Sequence, residues 1–421
     1  MAIGTVGLKL RMLGVLRDAS WLNRSRVRFY AIILCLLMGE SMASVVYVSN
    51  GMVGPAGIPL GSDFTSFRAA AGLAADGRPE AAYDRATLHT SERELFGGRD
   101  VRYFYFFYPP PFMLLCLPLA LLPYGAALAC WLVATGIAFW SALWGFMPRR
   151  DEILPILAFP IFFINAAFGQ NGFLSGALMG FGALFLSKRP LAAGICWGAL
   201  IYKPHLGLLI PFVLVAAGAW RTLTAAALTA LSVSAASYAA FGTETWRGFF
   251  ASSHVARMVL EQNLIGNYKM QSVFAAAGLW GLGVMPAYAL QAAAALSAVT
   301  VLIWLTRKQP LGPVHGVTLA ACTLLASPFL LTYDLTLLNL PLVWLASEGL
   351  RTGFRPWEKL TLLLAYALPL LAEVTTMARL AIPWTPVIVA LLVLALLRRA
   401  TKGCHQLPHG DQPAAVPVIM R

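Results

Sequence analysis

The sequence has few charged residues and far too many apolar ones for a soluble protein. Only 12% of its 421 residues are charged and 59% are hydrophobic, whereas soluble domains carry roughly 25% charged and about 45–50% apolar residues. A soluble enzyme, a disordered chain and a nucleic-acid-binding domain are therefore excluded. The composition predicts an all-α polytopic membrane protein, because about 20 consecutive apolar residues cross a bilayer.

Several chemical signatures are also missing from the sequence. No G-x-x-x-x-G-K-[ST] phosphate loop occurs, which excludes ATP-driven pumping by this chain. No D-x-D pair is available to hold a metal and a nucleotide-sugar, and the six cysteines form no C-x-x-C pair. We therefore expect no cofactor and no metal, and an enzyme of this kind would need an activated donor that the membrane carries.

The excess of positive charge indicates the orientation of the chain. The 31 Lys and Arg residues outnumber the 18 Asp and Glu residues, and cytoplasmic loops of membrane proteins are rich in Lys and Arg. The basic segment 1–28 is expected in the cytoplasm and is followed by a first apolar run, Phe29 to Val48. We predict a membrane domain over 29–400 with 10–13 transmembrane helices, and a cytoplasmic tail over 401–421.

A long polar segment, residues 50–108, follows the first span and is expected outside the cytoplasm. It contains seven of the 18 acidic residues, and its apolar spacing predicts short amphipathic helices near Phe64–Leu73 and Tyr83–Leu95. A run of aromatic residues, 103–108, marks the return to the membrane. A second extracytoplasmic loop is predicted over 242–272.

The apolar stretch 109–147 allows two topologies. Pro118 and Pro123 interrupt it, so its first half is either a short span or a re-entrant piece. The basic pair Arg149/Arg150 favours a cytoplasmic end and hence one net crossing. Two full crossings remain the alternative.

Polar residues that interrupt apolar runs are the candidates for chemistry. Asp63 could be a general base at the membrane surface or an N-cap for the following helix. Gln170 and Asn171 could bind sugar hydroxyls or merely close a turn. Lys203 and His205 could contact a phosphate, since lysine acts on phosphate as a point charge.

Further polar candidates lie in the second loop and at later breaks. In the second loop, the cation Arg257 could join Lys203 and His205 on the phosphate, and the amides Asn267 and Gln271 could bind the sugar or the acceptor. All three could instead simply be solvated. Tyr333-Asp334 either caps a helix or belongs to a site. Tyr108 begins a stiff Tyr-Pro-Pro-Pro junction into the membrane.

The order of these motifs resembles glycosyltransferase family 87, which uses polyprenyl-phosphate-mannose and has a GT-C fold. The resemblance covers about residues 60–345 and rests on the segments that follow: Asp63-Phe64, Tyr108-Pro109-Pro110, Gly169-Gln170-Asn171, Lys203-Pro204-His205, Asn267 to Ser272, and Ser327-Pro328 with Tyr333-Asp334. Some relatives carry histidines where this chain has Tyr333-Asp334.

The resemblance implies an inverting hexosyltransferase whose active site lies on the extracytoplasmic face of the plasma membrane. It implies that Asp63 is the catalytic base and that a polyprenyl-phosphate sugar, expected to carry mannose, is the donor. The acceptor would be a glycolipid, a polysaccharide or a protein, and no nucleic acid is expected as a partner. The leading alternative is a secondary transporter or lipid flippase, whose broken helices would look similar.

Overall fold

A computed structural model of the protein describes residues 12–49, 52–147 and 153–402. Within these ranges the fold consists of helices, and extended pairing is limited to two isolated bridges. The predicted all-α membrane class is therefore confirmed. The basic pair Arg149/Arg150, most of the tail 401–421 and residues 1–11 of the basic N-terminal segment lie outside the described residues.

The helices run in chain order with short 3-10 segments between some of them. Their bounds are α1 (Arg24–Val48), α2 (Phe64–Ala75), α3 (Arg85–Glu94), α4 (Pro110–Cys116), α5 (Tyr124–Trp144), α6 (Ile153–Leu157), α7 (Pro160–Phe168), α8 (Gly172–Phe185), α9 (Pro190–Gly198), α10 (Pro204–Gly207), α11 (Ile210–Ala216), α12 (Trp220–Glu261), α13 (Val273–Leu279), α14 (Val284–Lys308), α15 (Pro313–Ala326), α16 (Asn339–Thr352), α17 (Glu358–Met377) and α18 (Trp384–Lys402).

Six of these helices are long and apolar enough to cross a membrane, namely α1, α5, α12, α14, α17 and α18. Six shorter apolar helices accompany them among the described residues, and the count of 10–13 spans stays a prediction. The 14 residues of α8 span only about 21 Å, and α8 is enclosed by α5, α9 and α15. Helices too short to cross the bilayer are tolerated where protein, rather than lipid, surrounds them.

The apolar segment before α5 begins and ends at the same face of the protein. At its start the Tyr108 hydroxyl bonds to Gln170, and at its end the Tyr124 hydroxyl bonds to the Leu60 carbonyl at 2.6 Å. Arg68 of α2 also donates to the carbonyl of Leu122. This geometry fits the re-entrant interpretation, in which α5 alone makes the crossing.

The helices connect two polar ends of the molecule. At the basic end, Lys359 donates to the Leu22 carbonyl at 3.1 Å and Arg399 pairs with the buried Glu358. From there α1 extends about 37 Å over its 25 residues. Beyond it, Leu60 donates to the Met52 carbonyl just before Asp63. Asp63 therefore lies at the end of the molecule opposite to Lys359 and Arg399, which we call the basic cluster.

Helix α12 continues through most of the segment that the sequence predicts as a second loop. Its backbone breaks at Gly242, where φ is 74° and ψ is −179°, but the helix then resumes and ends only at Glu261. The Phe249 ring packs at 6.2 Å from Tyr83 in the first loop. Residues 242–261 of the predicted loop are thus helical, and the aromatic side chain of Phe249 in this part of the helix packs on the first loop.

Candidate active site

Five interruptions of the helical structure meet at one place, on the end of the molecule opposite to the basic cluster. They are Asp63 before α2, Tyr108 before α4, the Gly169–Asn171 turn between α7 and α8, Lys203 to His205 around the start of α10, and the 3-10 segment Thr332–Leu338 before α16. Their side chains are joined by the hydrogen bonds and the ion pair described below.

Asp63 occupies the N-cap position of α2, but its side chain makes no capping bond. Its Oδ2 instead accepts a hydrogen bond of 2.8 Å from Gln170 Nε2. Its backbone N–H donates to the Phe168 carbonyl at 3.0 Å, which fixes α2 against the end of α7. Of the two roles that the sequence left open, the structure therefore does not use the carboxylate as a cap.

The environment of Asp63 moves its pKa towards neutrality. Burial raises the pKa from 3.8 to about 6, while the bond from Gln170 and the positive charge of Lys203 partly oppose this rise. The residue nevertheless remains partly exposed. A carboxylate with such a pKa is mostly ionised at neutral pH, yet basic enough to take a proton from a hydroxyl during a reaction.

Gln170 links this carboxylate to the rest of the site. Its Oε1 accepts from the Tyr108 hydroxyl at 3.2 Å and from the Asn171 N–H at 3.0 Å. Asn165 in turn donates to the Gln170 carbonyl at 3.2 Å. The turn also needs Gly169, whose φ is 64° and where a Cβ would lie 2.6 Å from the Phe64 Cβ.

Lys203 is buried at the centre of the cluster and forms an ion pair with Asp334. Its ammonium group also donates to Asn171 Oδ1 at 3.1 Å and lies 5.1 Å from the centre of the Tyr333 ring. The second oxygen of Asp334 accepts from the Leu331 N–H at 3.0 Å. Asp334 thus caps its own segment and also belongs to the cluster.

Two polar atoms of the cluster are buried without a hydrogen-bond partner among the described residues. They are Nδ2 of Asn171 and Nε2 of His205. Buried polar atoms in proteins are nearly always hydrogen-bonded. Asn171 also contacts the ammonium group of Lys203 through its Oδ1, and His205 follows Lys203 by two positions in the chain. The two unpartnered atoms are therefore suited to bind an oxygen-rich ligand.

Comparison with protein families identifies the chain. Residues 106–328, just over half of its length, match the sequence model of glycosyltransferase family 87. The chain belongs to glycosyltransferase family 87. Searches of curated proteins and of solved structures found no match. The family resemblance of the sequence motifs is thereby confirmed, and the chain is a membrane glycosyltransferase.

The matched region of this family 87 protein contains only part of the cluster. Gln170, Asn171 and Lys203 lie inside it, whereas Asp63 precedes it and Asp334 follows it. Both carboxylates nevertheless contact residues of the matched region, through Gln170 and Lys203 respectively. The fold therefore completes the cluster with residues from both sides of the family match.

Three predicted site residues of the glycosyltransferase lie elsewhere. Arg257 is exposed on α12 and pairs with Glu261 at 2.7 Å. Gln271 accepts from the Thr385 hydroxyl at 2.7 Å. Asn267 lies in a 3-10 turn packed against Gly278. Next to Gln271, the backbone bridge between Met270 and Leu331 joins this part of the chain to the segment that precedes Asp334.

Glu92 in the first loop of the glycosyltransferase was missed by the sequence reasoning. It is fully buried, and both of its oxygens lie 3.2 Å from the Phe104 N–H. Burial raises its pKa from 4.5 to about 8, and the nearby charge of Asp63 adds to this rise. The sequence did contain a signal of this burial. Glu92 follows the apolar Leu88 by four positions, which places both residues on the same face of α3.

Proposed function

We propose that this glycosyltransferase moves a hexose, expected to be mannose, from a polyprenyl-phosphate donor to an acceptor hydroxyl with inversion at the anomeric carbon. The observation that carries the proposal is the state of Asp63. Its carboxylate is partly exposed, is not used as a helix cap, and has a pKa near 6. These are the properties of a general base.

In the proposed reaction a single displacement transfers the sugar. The acceptor oxygen attacks the anomeric carbon while its proton passes to Asp63, and the bond from that carbon to the phosphate oxygen breaks. The leaving group is the polyprenyl phosphate. Because Gln170 occupies Oδ2 of Asp63, Oδ1 is the oxygen that we assign to the acceptor proton.

The donor phosphate would contact Lys203 and its neighbours. Two of the three ammonium hydrogens of Lys203 are used by Asp334 and Asn171. The third hydrogen, with Nε2 of His205 and Nδ2 of Asn171, could bind phosphate or sugar oxygens and stabilise the charge that develops on the leaving group. Arg257 is left out of this proposal because it pairs with Glu261 on an exposed helix face.

The distribution of charge supports an extracytoplasmic active site. Lys359 and Arg399 lie at the end opposite to Asp63, and Lys and Arg concentrate on the cytoplasmic side of membrane proteins. Asp63 would then face outwards from the plasma membrane. An acceptor exposed there could be a glycolipid, a polysaccharide or a protein.

The proposal is tested with the purified full-length protein in lipid nanodiscs. Radiolabelled polyprenyl-phosphate-mannose, polyprenyl-phosphate-glucose and GDP-mannose are offered in parallel, with a membrane extract as the source of acceptor. We expect label to pass to the acceptor from a lipid donor only, with inverted anomeric configuration. Transfer from GDP-mannose would contradict the donor class. Movement of the donor across the bilayer without transfer would favour the flippase alternative.

A further inference from the structure

A cavity lies at the basic end of the protein, far from the candidate active site. Its volume is about 530 Å³, which is within the range of ligand pockets. It is a partly open cleft between α1, α16 and α17, and its lining is mainly apolar. Representative lining residues are Val27, Ala31, Leu34, Leu342, Val343 and Tyr366.

The cavity is apolar along its depth and cationic at one end. Arg24, Arg28, Arg351 and Lys359 belong to its lining, and none of the described lining residues is acidic. The two arginines of α1 lie in its first turns, whereas Leu34 lies about 15 Å further along the helix axis from Arg24. This arrangement matches a molecule with an anionic head and an apolar tail.

Helix α1 packs on α6 and α7, and its contacts with α16 and α17 are sparser. Of its 25 residues only Ala31 is buried, and that residue lines the cavity. An acyl chain in the cavity would fill the space between α1 and α16 and pack against both helices, and packing contacts are what hold helices together within a bilayer. The occupant would therefore hold α1 against the rest of the membrane domain.

We propose that this cavity binds an anionic glycerophospholipid of the cytoplasmic leaflet. One acyl chain would lie between α1 and α16, and the phosphodiester would contact Arg24, Arg28 and Lys359. Basic pockets between membrane helices on the cytoplasmic side are established sites for anionic headgroups. On the function proposed above, the sugar donor is not the occupant, because its phosphate would contact Lys203 at the opposite end of the molecule.

The test measures lipid retention by native mass spectrometry of the full-length protein in detergent. Phosphatidylglycerol and phosphatidylcholine with identical acyl chains are the probes. We expect preferential retention of phosphatidylglycerol, and we expect Arg28→Gln to weaken it about fivefold, since one basic residue beside an anionic lipid contributes about 1 kcal/mol. Arg26→Gln, on the same helix but outside the lining, should leave retention unchanged.

A steric pair of variants tests the cavity itself. Leu34→Trp fills it and should abolish retention, whereas Leu36→Trp, at a position that is 67% exposed, should not. Equal retention of the two phospholipids by the wild type would overturn the proposal. So would displacement of phosphatidylglycerol by polyprenyl phosphate, since the cavity would then hold a donor-type lipid. The wild-type comparison does not depend on how any variant folds.

Discussion

Gln170 Nε2 donates a hydrogen bond of 2.8 Å to Oδ2 of Asp63, although the two residues are 107 positions apart. The bond joins the start of α2 to the turn between α7 and α8. It orients one oxygen of the carboxylate. Because Gln170 also accepts from Tyr108, this one amide connects three separate segments of the chain.

The first prediction concerns the pH dependence of transfer. Asp63 must be ionised to act as a base, so the rate should fall as the pH drops through about 6. In Gln170→Leu the carboxylate loses a bond that favours its charged form, and its pKa should rise by about one unit. The acidic limb of the pH–rate profile should therefore move to higher pH. In the control Gln262→Leu, at an exposed position, the acidic limb should remain at the same pH as in the wild type.

The second prediction concerns the buried ion pair between Lys203 and Asp334. Lys203→Met leaves a buried carboxylate without its partner, which should lower the free energy of unfolding by about 3–5 kcal/mol. The double variant Lys203→Met/Asp334→Asn should regain most of this loss but no transfer activity. Arg247→Met, which breaks an exposed pair with Glu244, should cost less than about 1 kcal/mol. Thermal unfolding in detergent provides the comparison, and equal losses for the buried and exposed pairs would contradict it.

The third prediction concerns the stability contributed by Glu92. Its pKa is about 8 in the folded protein against an ordinary value of 4.5, so the folded state binds the proton more tightly between these values. Stability should therefore fall as the pH rises from about 4.5 to 8. Glu92→Gln should flatten this slope and melt at a higher temperature than wild type at pH 8.5. Glu94→Gln, on the exposed side of α3, should retain the wild-type slope.

The membrane fold and the positions of the polar interruptions could be predicted from the sequence. The apolar composition determines the class, and the breaks at Gly169–Asn171 and Lys203–His205 are visible because polar residues rarely interrupt membrane helices without a reason. What these breaks contact could not be predicted. The pairing of Lys203 with Asp334 spans 131 positions and depends on how short helices pack.

Two differences between the sequence reasoning and the structure have physical explanations. The sequence predicts Arg257 in a loop from which it could reach a phosphate, whereas the helix after Gly242 directs Arg257 towards Glu261. Glu92 was overlooked because a glutamate in a polar segment is ordinarily solvated. Its burial follows from tertiary packing, which places the Phe104 N–H beside it.

The central claim is that Asp63 is the base, and Asp63→Asn tests it most directly. The variant should lose about 10²–10⁴-fold of the transfer rate from polyprenyl-phosphate sugar, the contribution typical of a general base. It should unfold at the same or a higher temperature, because the amide removes a partly buried charge. Asp76→Asn, at the far end of α2, should keep both properties. An Asp63→Asn protein that transfers sugar at the wild-type rate would contradict the account.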